Sequence, residues 1–386
     1  MNIDYFEYER IFINIVLCIY VISIPFKDVF FQSSIVLLVL SFFVIVFREN
    51  DFLDFIKKIK ILLYFFVAIL FSMTISNLSN DFSWLMDSLK IQFSYFYRYM
   101  LIILVLLYFF EKKIFSKNFF LIYLLISLLV QGIDGIFQSL EGYDYFKQIK
   151  GNLIIGLTGV TFNRNAFGFL MGIGVILSLY FFNINDLYKK YIGIITISIF
   201  IFCTIFSYSR AVWVSLCIVL FIYLFINFRV INKKIFFFFS FIFIFIFILF
   251  FSIDTLNNRL TSLFMMNSSN RDTIWLFTIN LIEEKPFLGW GLASWSFIGL
   301  KNYSSVHNSL LEIILILGLF GFVIYFVFFV FLMREILYFK DFKSLYILIF
   351  FIVVSLFDQN VFTGKIFLSC FSLLIFNIFS NRLKVL

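Results

Sequence analysis

Long apolar runs alternate with short polar segments along this chain, and most runs are close to the length of about twenty residues that crosses a bilayer as a helix. This pattern predicts twelve membrane-spanning helices. They comprise residues 11–26, 33–47, 61–76, 89–110, 118–140, 161–182, 191–207, 211–228, 235–253, 307–333, 345–357 and 366–380. The run at 235–253 also shows the two-residue alternation of a strand, but an uninterrupted apolar run of this length favours a spanning helix.

The basic residues of the polar segments predict how these helices are oriented. Lysine and arginine cluster in alternate connectors, for example at 48–60, 112–117 and 229–234, and such clusters mark the cytoplasmic side of a membrane. Both termini are then cytoplasmic, and the largest outer segment is 254–306. The remaining basic residues lie on the outer side or at its rim, except for one within a span. They are Lys27, Lys90, Arg98, Lys147, Lys150, Arg164, Arg210, Arg259, Arg271, Lys285, Lys301 and Lys365.

Composition excludes a water-soluble globule, because 63% of the residues are hydrophobic and only 13% are charged, which is too few to cover a soluble surface. We therefore predict an all-α, polytopic membrane protein with a single transmembrane domain over residues 1–386. The net charge of +8 follows the predicted topology, so nucleic acid is not an expected partner. The four cysteines each lie in an apolar run and predict neither a disulfide framework nor a metal site.

The outer segment 254–306 contains one predicted short helix. Asn270 or Ser269 can cap its start, and Pro286 ends it. Apolar residues recur at helical spacing between these points. They are Ile274, Phe277, Leu281 and Ile282. This amphipathic helix carries Arg271 in its first turn, and it can lie on the outer membrane surface or pack over the helix bundle with Arg271 exposed.

The one histidine of the chain, His307, stands where this outer segment meets the next apolar run. Imidazole can accept a proton from an attacking hydroxyl near neutral pH, and it can equally cap the helix that follows. Because we expect that helix to begin at His307, its first backbone N–H groups should face outward and favour an anion.

Arginine can supply the positive charge for a phosphate ligand, since its forked donors match phosphate oxygens. Arg210 lies at the outer end of two strongly apolar runs, and Arg271 opens the loop helix. The sequence has no Asp-x-Asp motif and no His/Cys metal cluster, so arginines are the groups available to stabilise the negative charge of such a ligand. Arg210 can instead anchor a helix end at the membrane interface.

Five sequence elements occur in an order that resembles the O-antigen ligase/polymerase superfamily. They are GVTFNRNAFGFLMGIG at 159–174, SRAVW at 209–213, Arg-x3-Trp at 271–275, PFLGWG at 286–291, and His-Asn followed by nine residues and Gly-x-x-Gly at 307–321. The first element departs from the Gly-x-Phe-x-Asn-x-Asn pattern of the family at Thr161 and Arg164. The His-Asn element is the one associated with the ligase branch, WaaL.

The resemblance implies a metal-independent glycosyltransferase of the GT-C type, with no cofactor, in a bacterial inner membrane and with its active site facing the periplasm. The donor would be a glycan on undecaprenyl pyrophosphate, and the acceptor would be a hydroxyl of lipid A-core oligosaccharide. The predicted catalytic residues are His307, Arg210 and Arg271. The predicted substrate-binding residues are Asn308, Glu312, Arg164, Trp275 and Trp213.

Other residues of the His-Asn element have simpler expected roles. Glu312 shares a helix face with Asn308 and can position it, contact an acceptor sugar or serve helix packing. Gly318 and Gly321 are expected to allow close contact between helices and to take no part in the chemistry.

Two other functions remain open. A polymerase that joins repeat units on the same lipid carrier would use the same residues, with the growing glycan as its acceptor. A secondary transporter would need charged or polar pairs and broken helices near the middle of the membrane, whereas the sequence pattern places every charge except Arg98 toward the membrane faces. Membrane lipids are expected neighbours, and the sequence predicts no oligomeric state.

Overall fold

The computed structural model describes residues 2–26, 28–80, 82–150, 156–161, 163–182, 187–227, 252–264, 270–303, 305–357 and 364–384. Helices account for most of this chain. In order they are α1 (Asn2–Ser23), α2 (Asp28–Glu49), α3 (Phe52–Leu78), α4 (Leu85–Tyr95), α5 (Leu101–Glu111), α6 (Lys117–Glu141), α7 (Arg164–Phe182), α8 (Leu187–Phe206), α9 (Arg210–Asn227), α10 (Asp254–Phe264), α11 (Arg271–Glu284), α12 (Ser294–Ile298), α13 (Ser309–Tyr338), α14 (Phe342–Ser355) and α15 (Lys365–Leu383). A π-helical turn, Phe96–Met100, joins α4 to α5.

Six helical segments are long and apolar enough to cross a membrane, so the chain is a multi-pass membrane protein. They are α2, α3, the continuous α4–α5 segment, α6, α13 and α15. Four shorter apolar helices, α7, α8, α9 and α14, coincide with four further predicted runs, and α1 coincides with the first. The run at 235–253 lies almost wholly outside the described residues, and the count of twelve spans stays a prediction.

The polar segments contain more structure than the hydrophobic pattern predicts. The connector predicted at 48–60 is shorter, because α3 begins at Phe52 and carries the lysines of that segment in its first turns. The outer segment 254–306 holds three helices, α10 to α12, where one was predicted. Tyr143–Asp144 pairs antiparallel with Ile149–Lys150. Strands of two residues are too short to produce a recognisable alternation in sequence.

The chain forms two compact units. The first comprises Met1–Ser127, Arg271–Leu345 and Ser355–Leu386. In this unit α1 packs on α2, α3 and α11 pack on α13, and α5 packs on α2 and α15. The second comprises Leu128–Asn270 and Tyr346–Val354, and in it α7 packs on α8 and α9. That the chain is a single transmembrane domain stays a prediction.

Aromatic side chains fill much of the core of the first unit. Tyr108 is fully buried, and its ring meets the rings of Phe42 and Phe55 edge-on at centroid distances of 5.3 and 5.1 Å. Edge-to-face contact aligns the positive rim of one ring with the negative face of the next. Part of the high phenylalanine content therefore packs between helices and does not face lipid.

A charge network joins the helix ends on the side predicted to be cytoplasmic. The Lys112 ammonium donates to Glu49 at 3.2 Å and also to Asp51, which accepts the Tyr108 hydroxyl at 3.0 Å. Partial burial acts to raise the pKa of Asp51, but the hydrogen bonds from Lys112 and Tyr108 outweigh it and hold that pKa below its usual value. The resulting stabilisation is present at neutral pH and is lost as the pH falls through the lowered pKa.

Candidate active site

The helix that follows the histidine, α13, is broken at Gly318, where the backbone angles are φ 65° and ψ −173°. A break exposes carbonyl and amide groups that an intact helix would pair internally. The Pro286–Gly291 turn supplies their partners. Trp290 and Gly291 donate to the carbonyls of Leu315 and Ile316 at 2.8 and 2.9 Å, and Leu319 and Phe320 donate to the carbonyls of Pro286 and Phe287 at 2.8 and 3.2 Å.

Two glycines allow the turn and the broken helix to meet. A Cβ at Gly318 would lie 2.2 Å from the Phe287 carbonyl oxygen, and a Cβ at Gly289, which has a φ of 69°, would lie 2.5 Å from the Gly318 nitrogen. The expectation that Gly318 serves helix–helix contact is therefore wrong, because Gly318 breaks its helix and contacts a turn. At Gly321 the atoms nearest an added Cβ belong to Leu317 of the same helix.

Polar residues at the end of α3 hold the Pro286–Gly291 turn and the residue after it. The Asn77 side chain accepts the Leu292 amide at 3.0 Å and donates to Gln92 at 2.8 Å. Asn80 donates to the Gly289 carbonyl at 3.0 Å, and the Ser76 hydroxyl donates to the Ile316 carbonyl. Asn77 and Ser76 are each only 1% exposed. The turn is therefore bonded on one side to α13 and on the other to α3.

Replacing Asn77 by alanine should lower the free energy of unfolding by about 1–3 kcal/mol, because it leaves the buried Leu292 amide without its acceptor and removes the donor to the Gln92 side-chain oxygen. Thermal unfolding of the purified protein in detergent measures this loss. Asn280→Ala, at an exposed position of α11, is the matched control and should change stability by no more than about 0.5 kcal/mol. Equal unfolding of the two variants would contradict the role assigned to Asn77.

His307 lies directly before α13 with its side chain half-buried. Its φ of 53° is in the left-handed region, which is uncommon for a residue other than glycine and carries strain. The preceding residue, Val306, is 1% exposed. His307 is thus held between a buried residue and a helix start.

Asn308, and not His307, is the N-cap of α13. Its side-chain oxygen accepts the amides of Leu310 and Leu311 at 3.0 and 3.1 Å, the usual arrangement for an asparagine cap. The expectation of free first-turn N–H groups after His307 is therefore wrong, because the helix begins at Ser309 and its cap satisfies two of these donors. The role of Asn308 in binding substrate stays a prediction.

Glu312 lies in the first turn of α13 and is 5% exposed. A carboxylate is stabilised near a helix N-terminus, where the backbone dipole is positive. That Glu312 positions the Asn308 side chain stays a prediction. Contact between Glu312 and an acceptor sugar stays a prediction.

The loop helix α11 begins at Arg271 and ends at Glu284, as its cap and proline signals predict. It packs against α13 within the first unit. Arg271 and Trp275 are half-buried, and the indole nitrogen of Trp275 is buried without a hydrogen-bond partner among the described residues. Leu276 and Ile279 are exposed on the face opposite buried Ile274, so apolar residues are not confined to one face as the amphipathic pattern predicted.

Arg210 and Trp213 open α9 in the second unit. The Arg210 guanidinium donates to the carbonyl and the hydroxyl of Ser262 in α10, both at 3.3 Å. Trp213 is 9% exposed, donates its indole N–H to the Thr204 carbonyl at 3.0 Å and packs against Leu256. The SRAVW element therefore has a clear part in packing, while its contact with substrate stays a prediction.

Arg164 is the first residue of α7 and is half-buried. The residue before it, Asn163, accepts the amide of Asn165 at 2.7 Å and so fixes the start of the helix. Gly168 allows α7 to approach the turn after α8, because an added Cβ would lie 2.6 Å from the Ser207 hydroxyl. This close packing explains part of the GVTFNRNAFG element.

A buried polar pair on α6 was missed in the sequence. Asp134 is 3% exposed and Gln131 is fully buried, and none of their side-chain polar atoms has a partner among the described residues. The expectation that Arg98 is the one charge inside a span is therefore wrong. A carboxylate within an apolar run was itself the available signal.

The eight predicted residues fall in both units. His307, Asn308, Glu312, Arg271 and Trp275 belong to the first unit, and Arg164, Arg210 and Trp213 belong to the second. Within the first unit, α11, which carries Arg271, packs on α13, the helix that follows His307.

Comparison with known proteins relates this arrangement to a family. Residues 194–326 match the family described as O-Antigen ligase, a domain shared by WaaL ligases and Wzy polymerases. The match includes the SRAVW element, α11, the Pro286–Gly291 turn and the His-Asn element. No curated protein matches the chain. Residues 194–326 of the chain are therefore similar to the O-antigen ligase family.

Proposed function

We propose that this protein transfers a glycan from undecaprenyl pyrophosphate to a hydroxyl of lipid A-core oligosaccharide, at the periplasmic face of a bacterial inner membrane. The observation that supports this best is the position of His307. The one histidine of the chain lies inside the family match, at the start of a helix that packs on the helix carrying Arg271.

His307 acts on the acceptor in this proposal. Its imidazole accepts the proton of the attacking hydroxyl, whose oxygen forms a bond to the anomeric carbon of the donor glycan. The bond between that carbon and the pyrophosphate oxygen breaks, and undecaprenyl pyrophosphate leaves with the electron pair. The left-handed backbone at His307 is a strained conformation of the kind that occurs at active sites.

Arg271 and Arg210 act on the donor. Each guanidinium is half-buried, where water screens its charge less than at an open surface. Negative charge grows on the pyrophosphate as the glycosidic bond breaks, and guanidinium groups stabilise that charge through paired hydrogen bonds. Arg210 would keep its contact with Ser262 as a positioning bond.

Five further residues bind substrate in this proposal. The Trp275 indole N–H, buried without a partner in the described part of the chain, has a donor to offer to a sugar oxygen. The Asn308 amide nitrogen and the Glu312 carboxylate contact the acceptor. Arg164 and Trp213 line the donor side.

A polymerase is the second candidate, because the matched domain is shared by ligases and polymerases. It would transfer the growing glycan from one lipid carrier to the glycan on another, with the same residues. A broken helix and a buried intramembrane carboxylate also occur in secondary transporters, and α13 and Asp134 provide both. The family match favours transfer over transport.

The test is transfer by the purified full chain in liposomes that contain glycan-linked undecaprenyl pyrophosphate, with and without lipid A-core. Glycan on lipid A-core supports the ligase. Longer glycan on the lipid carrier, with none on the core, identifies a polymerase. The absence of transfer to either acceptor, together with movement of the lipid-linked glycan or of ions across the bilayer, would favour transport.

A further inference from the structure

Arg98 is the one basic residue that the sequence pattern places within a membrane span. It lies in the π-helical turn Phe96–Met100 of the apolar segment Leu85–Glu111. Its Nε donates to the Tyr97 hydroxyl at 2.8 Å, and its guanidinium carbon is 5.5 Å from the centre of the same ring. Single π-helical turns within α-helices occur frequently at functional sites.

The guanidinium of Arg98 has no carboxylate partner in the described part of the chain. Its contacts there are the Tyr97 hydroxyl and ring and the nearby phenol of Tyr99. One tyrosine hydroxyl uses the Nε donor, while a guanidinium carries five N–H groups in a planar fork. The fork therefore has donors left for an anionic ligand.

Lys365 provides a second positive charge beside Arg98. It is the first residue of α15, and its side chain is 17% exposed. Its ammonium pairs with Asp28 at 2.9 Å, donates to the Phe26 carbonyl and lies 5.0 Å from the ring centre of Phe31. α15 packs against the π-helical turn that contains Arg98, and Arg98 lies within electrostatic reach of both Lys365 and Asp28. Two cations thus share one carboxylate.

The helix starts around this cluster add to its positive potential. Asp28 opens α2, and Lys365 opens α15, whose N-cap Gly364 makes no side-chain capping bond. Helix N-termini carry partial positive charge. The two cations Arg98 and Lys365 outnumber the one carboxylate of Asp28, so the cluster has a net positive charge that attracts anions.

The neighbouring surface suits a lipid. Val29 and Phe30, which follow Asp28, are 72% and 66% exposed, and Phe93, whose ring centre is 5.4 Å from that of Tyr97, is 67% exposed. Exposed apolar side chains of this size are expected where a helix faces acyl chains. A basic site with an apolar rim matches a phosphate carried by a lipid better than a free phosphate ion.

We propose that Arg98 and Lys365 bind the phosphate group of a membrane lipid in the leaflet where α2 and α15 begin. The ligand class is a phosphomonoester or diphosphate on a lipid, with paired hydrogen bonds from the Arg98 fork and a single charge contact from Lys365. This site does not depend on the proposed glycan transfer.

Lipid binding to the purified full chain in detergent, followed by native mass spectrometry, tests the site. Phosphatidic acid and undecaprenyl diphosphate are the phosphate-bearing probes, and diacylglycerol and undecaprenol are their phosphate-free counterparts. Arg98→Gln should weaken binding of both phosphate-bearing lipids roughly tenfold or more, and Lys365→Gln should weaken it by a smaller factor. Binding of the phosphate-free lipids should be weak and unchanged by either variant.

Lys90→Gln is the matched control, because Lys90 is 73% exposed in an ion pair with Asp87 on α4, and it should not alter binding. Arg98→Lys retains the charge in the membrane and should keep more affinity than Arg98→Gln. If Arg98→Gln fails to fold, the comparison of Lys365→Gln with the unmodified protein still tests the site. Unchanged binding in Arg98→Gln and Lys365→Gln would overturn the site. Complete displacement of the lipids by millimolar inorganic phosphate would overturn its assignment to a lipid.

Discussion

Replacing His307 by alanine should reduce glycan transfer by about 10²- to 10⁴-fold, the range contributed by a positioned proton acceptor. The chain has no second histidine, so no neighbouring imidazole can take over the proton. A proton acceptor acts as the bond to the sugar forms, so the loss should appear in kcat more than in KM. Initial rates of transfer with lipid-linked donor in liposomes, at several acceptor concentrations, measure both constants.

The left-handed backbone at His307 requires its own control. Lys340 has the same φ of 53°, is exposed and follows the other end of α13. Lys340→Ala therefore carries the same conformational cost with no part in the chemistry, and it should keep nearly full transfer. His307→Asn tolerates a left-handed backbone yet lacks a comparable base, so it should be as inactive as the alanine variant. Activity that survives in His307→Asn would exclude His307 as the proton acceptor.

The spanning helices could be predicted from sequence because the signal is local. A bilayer demands about twenty apolar residues in one helix, and the predicted runs coincide with α1 to α9 and α13 to α15 wherever the chain is described. The start and end of α11 also follow from neighbouring residues. Arg271 opens this helix as expected, and the helix ends just before Pro286.

The break in α13 could not be predicted, because its causes are distant in sequence. Nothing beside Gly318 in an apolar run distinguishes a helix break from a small residue at a helix contact. The carbonyls and amides freed there are paired by the Pro286–Gly291 turn, and that turn is held by Asn77 and Asn80 at the end of α3. Because the partners are distant in sequence, the sequence shows only the glycine and does not indicate which turn it contacts.

Charged residues inside apolar runs can be identified from the sequence alone. Asp134 interrupts an apolar run as clearly as Arg98 does, and both are costly in a membrane. Two lysines predicted on the outer side have local partners. Lys365 pairs with Asp28, and Lys285 donates to Asn80 and stacks on Trp290. These lysines therefore do not contradict the predicted topology.

Replacing Gly318 by alanine should destabilise the protein by about 2–5 kcal/mol. The Gly318 backbone, with φ 65° and ψ −173°, lies in a region essentially restricted to glycine and costs an alanine roughly 1–3 kcal/mol. The added Cβ, 2.2 Å from the Phe287 carbonyl oxygen, must also push the turn away from the helix. Because the turn pairs four backbone groups of α13, its displacement leaves buried donors and acceptors unsatisfied. Thermal unfolding in detergent measures the loss of stability.

Gly142→Ala is the comparison variant, because Gly142 also has a φ of 65° and an added Cβ there would meet no atom within 4 Å. It should lose only the cost of a side chain at a positive φ. A Gly318→Ala protein no less stable than Gly142→Ala would show that the turn is not held against the broken helix. Transfer should also fall in Gly318→Ala. The break and its turn hold the first part of α13, whose N-cap is Asn308 and which carries Glu312. The turn is anchored to α3, so Gly318 would help to fix the position of His307 at the start of α13 without contacting substrate itself.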